Sequence, residues 1–246
     1  LSGIEAGLRA QGAAPEDVTV VGFAGDGGTA DIGLQALSGA IDRNDDVLYI
    51  CFDNEAYMNT GVQRSSATPP AARTATTMPT PDFPGNSFGQ GKNVPAIAMA
   101  HGIPYVATAT VADLHDLERK VRYAMSFHGA RYIHILVPCP LGWGAPSAKT
   151  IELARLAHET GLFPVFEAEY GEVTNVSKIR RKQPVEKYLM LQKRFAHLFG
   201  KKGNPEIVQR MQALADRNIA RYGLLGNEQG DDIPVPEQAE ERHHVI

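Results

Sequence analysis

Cysteine is scarce in this chain, with only Cys51 and Cys139 among 246 residues. Two thiols cannot build a disulfide framework, which points to a reducing compartment, the cytoplasm. No apolar run approaches the roughly 18–20 residues needed to cross a bilayer, so a membrane role is excluded. There is no basic excess either: 24 Lys and Arg stand against 28 Asp and Glu, interleaved, for a net charge of −4. That balance carries no footprint for nucleic acid. A positive segment followed by an apolar core is missing from the start, so no signal peptide is read there. Residue 1 is Leu, and Leu1 to Arg9 reads as the middle of an amphipathic helix. The chain is therefore expected to begin inside a domain, with a segment upstream. No internal repeat is present.

What remains is ordinary for a soluble globular protein, 43% hydrophobic and 21% charged. It is long enough to bury a sizeable core. Asp17–Ala24 is β-branched and almost continuously apolar, which predicts a strand covered on both faces. Gly25-Asp-Gly-Gly breaks it, and a helix is expected over Thr29–Arg43 with Ile32, Ala36, Leu37, Ala40 and Ile41 on one stripe. Val47–Phe52 is a second buried strand, completing a βαβ unit with a right-handed parallel crossover.

From Glu55 to Lys92 regular periodicity disappears among Thr, Pro, Ser and Gly, as in a functional lid or a disordered linker. Asn93 is the N-cap expected for a helix over Val94–His101, closed by Gly102. Pro104–Thr110 then reads as a strand, Asp113–Phe127 as a helix and Arg131–Val137 as a strand. Ser147–Glu159 reads as helix, Phe163–Val173 as extended chain, and Val185–Phe199 and Pro205–Tyr222 as helices. The fold class is α/β, a mostly parallel sheet with helices on both faces and a helical C-terminal extension. The expected domains are residues 1–145 (α/β, its start truncated), 146–225 (mainly helical) and 226–246 (a flexible tail).

The chemistry concentrates where strands end. Gly25, Asp26, Gly27 and Gly28 lie at a strand-to-helix junction, the edge where open α/β sheets bind ligands. Glycines let backbone approach a phosphate, a helix N-terminus favours an anion, and an aspartate there suggests a shared magnesium ion. Alone, the tripeptide is a weak signal and reads first as an ordinary Asp-Gly turn. Asn54 leaves the next strand on the same sheet edge, where its side-chain oxygen can meet the same metal, with the Ala56 carbonyl as a third protein ligand. Turn-forming Asn is the plain alternative for Asn54 and Asn59.

Gly-Asp-Gly followed at this interval by Asn is similar to the thiamine diphosphate motif. The fuller string GDGGTADIGLQALSGAIDRNDDVLYICFDNEAYMNTGVQRSSATP resembles the β subunit of pyruvate:ferredoxin oxidoreductase, as do AHGIPYVATAT, VPCPLGW and PVEKYLMLQKRFAHL. The resemblance runs from about Ser2 to His197. It implies a 2-oxo-acid:acceptor oxidoreductase subunit of anaerobic metabolism, with magnesium held by Asp26, Asn54 and Ala56. It places Asn59 and Thr60 as candidate catalytic residues near the reactive carbon of the cofactor. The cofactor then carries the chemistry: oxidative decarboxylation of a 2-oxo acid, or its reverse, with coenzyme A collecting the acyl group. The activating glutamate belongs to another subunit, so this chain would hold half an active site. The partners implied are a pyrimidine-binding α-type subunit, γ and ferredoxin-like δ subunits, and ferredoxin or a similar acceptor.

Cys139 carries the main departure. The resemblance makes it one of four ligands to a [4Fe–4S] cluster, but the remaining cysteines are absent here and are expected upstream or lost. A buried small hydrophobe is the plain reading of a free cysteine, and Cys51, within an apolar strand, is read as core. His101 reads as a helix C-terminal residue and His134 as a satisfied core or interface histidine. His243 and His244 read as solvated, and Arg180-Arg181-Lys182 as a solvated face able to meet an acidic partner such as ferredoxin. Two rivals stand beside the oxidoreductase: a non-redox thiamine-dependent decarboxylase or carboligase, and a structural subunit with an empty site. Hydride transfer on a nicotinamide is disfavoured, since the glycines lack GxGxxG spacing. Pyruvate is the default substrate, with oxalate or an aryl glyoxylate as alternatives shaped by the loop from Thr68 to Pro84.

Overall fold

The computed structural model describes residues 1–14, 16–201 and 203–226. The tail expected beyond Gly226, with His243 and His244, lies outside them. The elements, in chain order, are α1 (Ser2–Ala10), β1 (Val20–Gly25), α2 (Leu34–Asp42), β2 (Val47–Asp53), α3 (Val94–Ala100), β3 (Tyr105–Thr110) and α4 (Leu114–Ala124). They continue with β4 (Arg131–Leu136), α5 (Pro140–Trp143), α6 (Thr150–Glu159), β5 (Phe166–Glu169), β6 (Glu172–Val176), α7 (Val185–Met190) and α8 (Pro205–Tyr222).

Six strands form one sheet in the order β1-β2-β4-β3-β5-β6. The first four run parallel, joined by helical crossovers, and β5 and β6 add an antiparallel hairpin. Alternation along the strands sends side chains to two different cores. Cys51, Tyr132 and Val106 pack beneath Leu37 and Ile41 of α2 and Val94 and Ala98 of α3. Leu48, Ile50, Ile133 and Tyr105 face the other way, against Ala124 of α4. A third core gathers α6, α7 and α8 with Trp143 and Leu136. The C-terminal helices thereby join the end of the sheet where the parallel strands finish.

Three local expectations are corrected. β1 is not covered on both faces: it is the sheet edge, and Phe23 is 63% exposed, stacked on the half-exposed Phe52 at 5.6 Å. The β-branched run of Asp17–Ala24 reads alike for an edge or a central strand, because local sequence does not say what lies beyond the edge. Gly25-Asp-Gly-Gly does break the strand, since β1 ends at Gly25, and the residues after it are helical. Gly27 has right-handed helical angles, and a π turn over Gly28–Ile32, closed by Gly33 N–H donating to Gly28 O at 2.8 Å, leads into α2. One extra residue in that wide turn shifts the helical phase. Ile32, expected on the buried stripe, is therefore exposed while Leu37 and Ile41 are buried. The helix expected over Val185–Phe199 is broken after Met190 and resumes as a tight turn over Lys193–Leu198.

The long aperiodic segment is ordered rather than a disordered linker. It folds onto the sheet end with Ser65, Thr68, Ala72 and Asn86 buried. Asn86 Nδ2 donates to the carbonyls of Thr68 and Pro69 at 2.7 and 3.1 Å, tying one end of the loop to the other. Order here comes from side-chain-to-backbone bonds, which leave no periodic trace in sequence. No helix among the described residues is long and apolar enough to cross a membrane.

Candidate cofactor site

β1 and β2 end side by side, with Gly25 in register with Phe52, so Asp26 and Asn54 emerge at the same sheet edge. Asp26 opens the helical turn directly after β1 and is 2% exposed. The Asn54 amide reaches it from β2: its terminal group lies 3.1 Å from Asp26 Oδ1 and 2.7 Å from the Ala56 carbonyl oxygen. With its nitrogen turned inward, Asn54 donates to both. With its oxygen inward, three oxygens converge with no hydrogen between them. Which way the amide faces follows from what the site holds. In an octahedral magnesium site with bonds of about 2.1 Å, neighbouring ligand oxygens stand about 3 Å apart. The two distances from Asn54, 3.1 and 2.7 Å, are near that spacing, so the donor set fits a hard divalent cation.

Burial pushes the Asp26 carboxyl up to about 7, and Asp53 adds to the rise, against hydrogen bonds from Ser65 and neighbouring backbone groups. The Ser65 hydroxyl bonds Asp26 Oδ2 directly. Lys92 bonds the Ala30 carbonyl at 2.6 Å and lies 3.5 Å from Asp31. Tyr57 bridges the site's outer wall, its hydroxyl donating to Gly27 O or Asp31 Oδ2, each 3.1 Å away. Gly27 is required here for space rather than for φ, since a Cβ would overlap the Tyr57 ring. Gly25 and Gly28 sit on either side of the same turn.

The turn after Asn54 is braced from below. Glu55 adopts φ 66°, donates its N–H to Asp53 Oδ1 at 2.8 Å, and pairs through its carboxylate with the buried Arg194. Trp143 donates Nε1 to the Asn54 carbonyl at 2.8 Å. On the opposite side of Asp53, His134 Nε2 lies 2.8 Å from Oδ2 and its Nδ1 2.7 Å from the Tyr132 hydroxyl. Burial disfavours the His134 charge, but Cys51 and the Asp53 carboxylate outweigh it and lift the imidazole to about 10. His134 is thus a buried, fully partnered histidine, as its alternation with apolar neighbours suggested. His101 caps α3, with Nε2 3.1 Å from Ser38 Oγ. In the basic run Lys182 pairs with Asp216 at 2.7 Å on the surface.

Asp26, Asn54 and Ala56 therefore come together, whereas Asn59 and Thr60 stand outside the cluster, exposed at the tip of the next turn. Thr60 is engaged by Gln63, its hydroxyl donating to Oε1 at 2.6 Å. Cys139 caps α5, its Sγ accepting from Gly142 N–H at 3.4 Å, and the helix abuts Met58. Cys51 is fully buried in β2. Among the described residues, no three or more His, Cys, Asp or Glu side chains gather as a metal site. A four-thiolate cluster does not fit the two cysteines of this chain. Sequence reading missed Ser65, Tyr57, Trp143 and Arg194. The only signal was the polar run Ser65-Ser66-Ala67-Thr68 and the lone tryptophan, neither of which names a partner.

A family model described as the thiamine pyrophosphate enzyme C-terminal TPP-binding domain matches residues 2–135, spanning both halves of this site. Pyruvate synthase subunit PorB of Methanosarcina barkeri is 52% identical over 223 residues, covering 91% of this chain and 75% of that one. This chain is a member of the thiamine-pyrophosphate-binding subunits of 2-oxo-acid oxidoreductases. The PorB subunit of Methanocaldococcus jannaschii is 47% identical over 228 residues, covering 91% of this chain and 74% of the relative. Ketoisovalerate oxidoreductase subunit VorB of Pyrococcus horikoshii is 48% identical over 208 residues, covering 80% and 65%. Asp26, Asn54 and Ala56 all lie within the matched residues.

Proposed function

We propose that this chain holds thiamine diphosphate and magnesium for an enzyme that oxidatively decarboxylates pyruvate, or runs the reverse synthesis, with coenzyme A as acyl acceptor. The carrying observation is the convergence of the Asp26 carboxylate, the Asn54 amide and the Ala56 carbonyl at the ends of β1 and β2. Names of the relatives support the substrate: PorB subunits belong to pyruvate synthases. Electrons leave to ferredoxin or a similar acceptor. The other subunits are the α-type, γ and δ-type chains of a cytoplasmic hetero-oligomer.

Asp26, Asn54 and the Ala56 carbonyl would hold the magnesium ion. Gly27 and Gly28, in the first helical turn after β1, would offer backbone N–H groups to the diphosphate. When bound, thiamine diphosphate supplies the electron sink that stabilises the charge left as carbon dioxide departs. Ser65 and the Gly27–Tyr57 contact hold Asp26 and its turn in place. Asn59 and Thr60, on the exposed tip of the next turn, would contact the substrate. Cys139 supplies one thiolate beside the Met58 turn and serves an iron–sulfur cluster only with ligands from outside these residues.

The test is a thiamine diphosphate and magnesium titration on the assembled enzyme, wild type and Asp26→Ala, with iron counted in the same samples. Loss of cofactor binding in the variant, with its circular dichroism unchanged, is expected. Wild-type binding in Asp26→Ala would sink the site. Cofactor without iron would move the chain to a non-redox thiamine enzyme.

A further inference from the structure

Glu55 stands between the two residues whose oxygens flank Asp26, and its backbone is left-handed, φ 66°. Side chains disfavour that conformation, and it persists only where the surroundings impose it. Here it turns the Asn54 side chain and the Ala56 carbonyl toward one point. Three bonds impose it. The N–H donates to Asp53 Oδ1 at 2.8 Å, the carbonyl accepts the Thr68 hydroxyl at 2.6 Å, and the carboxylate pairs with Arg194.

Arg194 arrives from far along the chain and is 5% exposed. Its guanidinium lies over the Trp143 ring at 3.9 Å and the Phe195 ring at 4.9 Å, and Nε donates to Gln192 Oε1 at 2.8 Å. Its backbone carbonyl accepts the Arg73 N–H at 2.9 Å, so the long loop hangs from the same residue. Trp143 in turn holds the Asn54 carbonyl at 2.8 Å. One buried cation thus grips the turn twice, through the Glu55 carboxylate and through the indole bonded to Asn54. A planar, always-charged fork suits this double role, which a lysine cannot reproduce.

We infer that Arg194 is a positioning residue for the cation-binding turn of Asn54–Ala56, acting through Glu55 and Trp143. The inference rests on the magnesium reading of that turn. A partner that orients a metal's ligands is felt in metal affinity, commonly by tenfold or more. A residue that only fills the core is felt in stability alone.

The experiment is equilibrium dialysis of thiamine diphosphate against the assembled enzyme over a magnesium series, for wild type, Arg194→Met, Arg194→Lys, Glu55→Gln, the Glu55→Gln/Arg194→Met pair and Asp26→Asn. Arg194→Met is expected to raise the magnesium concentration for half-saturation roughly tenfold or more, and Arg194→Lys to recover part of it. The double variant is expected to be no worse than the worse single one, because both changes cut the same path. Wild-type magnesium dependence in Arg194→Met, alongside lost binding in Asp26→Asn, would overturn the positioning role and leave the site standing. Normal binding in Asp26→Asn would instead remove the magnesium reading itself. If Arg194→Met fails to assemble, Glu55→Gln carries the same expectation and the same refutation.

Discussion

Trp143 donates its indole N–H to the backbone carbonyl of Asn54, 89 positions away, across 2.8 Å. The only tryptophan of the chain is thus a strut under the proposed cation site as well as the centre of the third core. Trp143→Phe keeps most of the packing and removes the strut. Chemical denaturation is expected to show a loss of about 1 kcal/mol for the hydrogen bond, and magnesium-dependent cofactor binding is expected to weaken severalfold. Unchanged binding would mean that Asn54 holds its place without help.

Gly27→Ala puts a methyl group into the Tyr57 ring at a backbone conformation that alanine otherwise favours. The cost is therefore purely steric, about 1–3 kcal/mol as for other overpacked sites. It is expected to fall on the diphosphate turn, lowering thermal stability and cofactor affinity together. Pairing the change with Tyr57→Ala is expected to recover the stability. Failure of that rescue would place the clash elsewhere.

Asn86→Ala removes the amide that satisfies the Thr68 and Pro69 carbonyls and accepts from Arg64 Nε at 3.1 Å. Stranding buried polar groups costs about 1–3 kcal/mol. Because the loss is local, limited proteolysis between Thr68 and Pro84 is expected to accelerate before global unfolding is affected. Equal cleavage rates in variant and wild type would show that the loop is held by packing alone.

His158 and His197 are both held below the ordinary histidine value, burial being the main cause in each. His197 Nε2 lies 2.5 Å from the Pro84 carbonyl. Folding thus favours their neutral forms. That contribution is complete above the unfolded value of about 6.5 and is lost as pH falls through it toward the folded values. The midpoint advantage of wild type over His158→Gln is therefore expected to shrink as pH falls from about 7 to 5, whatever the Asp26 carboxyl adds to both. A difference independent of pH would show that His158 is not held neutral by the fold.

The parallel βαβ frame, the crossover helices and the cap Asn93 were legible from apolar runs and a capping residue alone, and the Asn93 side chain does accept the expected N–H bond, from Ala96. Asp26, Asn54 and Ala56 were legible as a set because two strand ends on one sheet edge make positions far apart in sequence neighbours in space. These are consequences of periodicity and chirality, which act over a few residues and are written locally. What tertiary structure alone decided is long-range: that β1 is an edge, that an extra residue in the π turn exposes Ile32, and that Arg194 and Trp143 hold the left-handed Glu55. A guanidinium stacked on an indole and bonded to a carboxylate 139 positions away leaves no pattern along the chain, because the chain must fold before the three groups share a place.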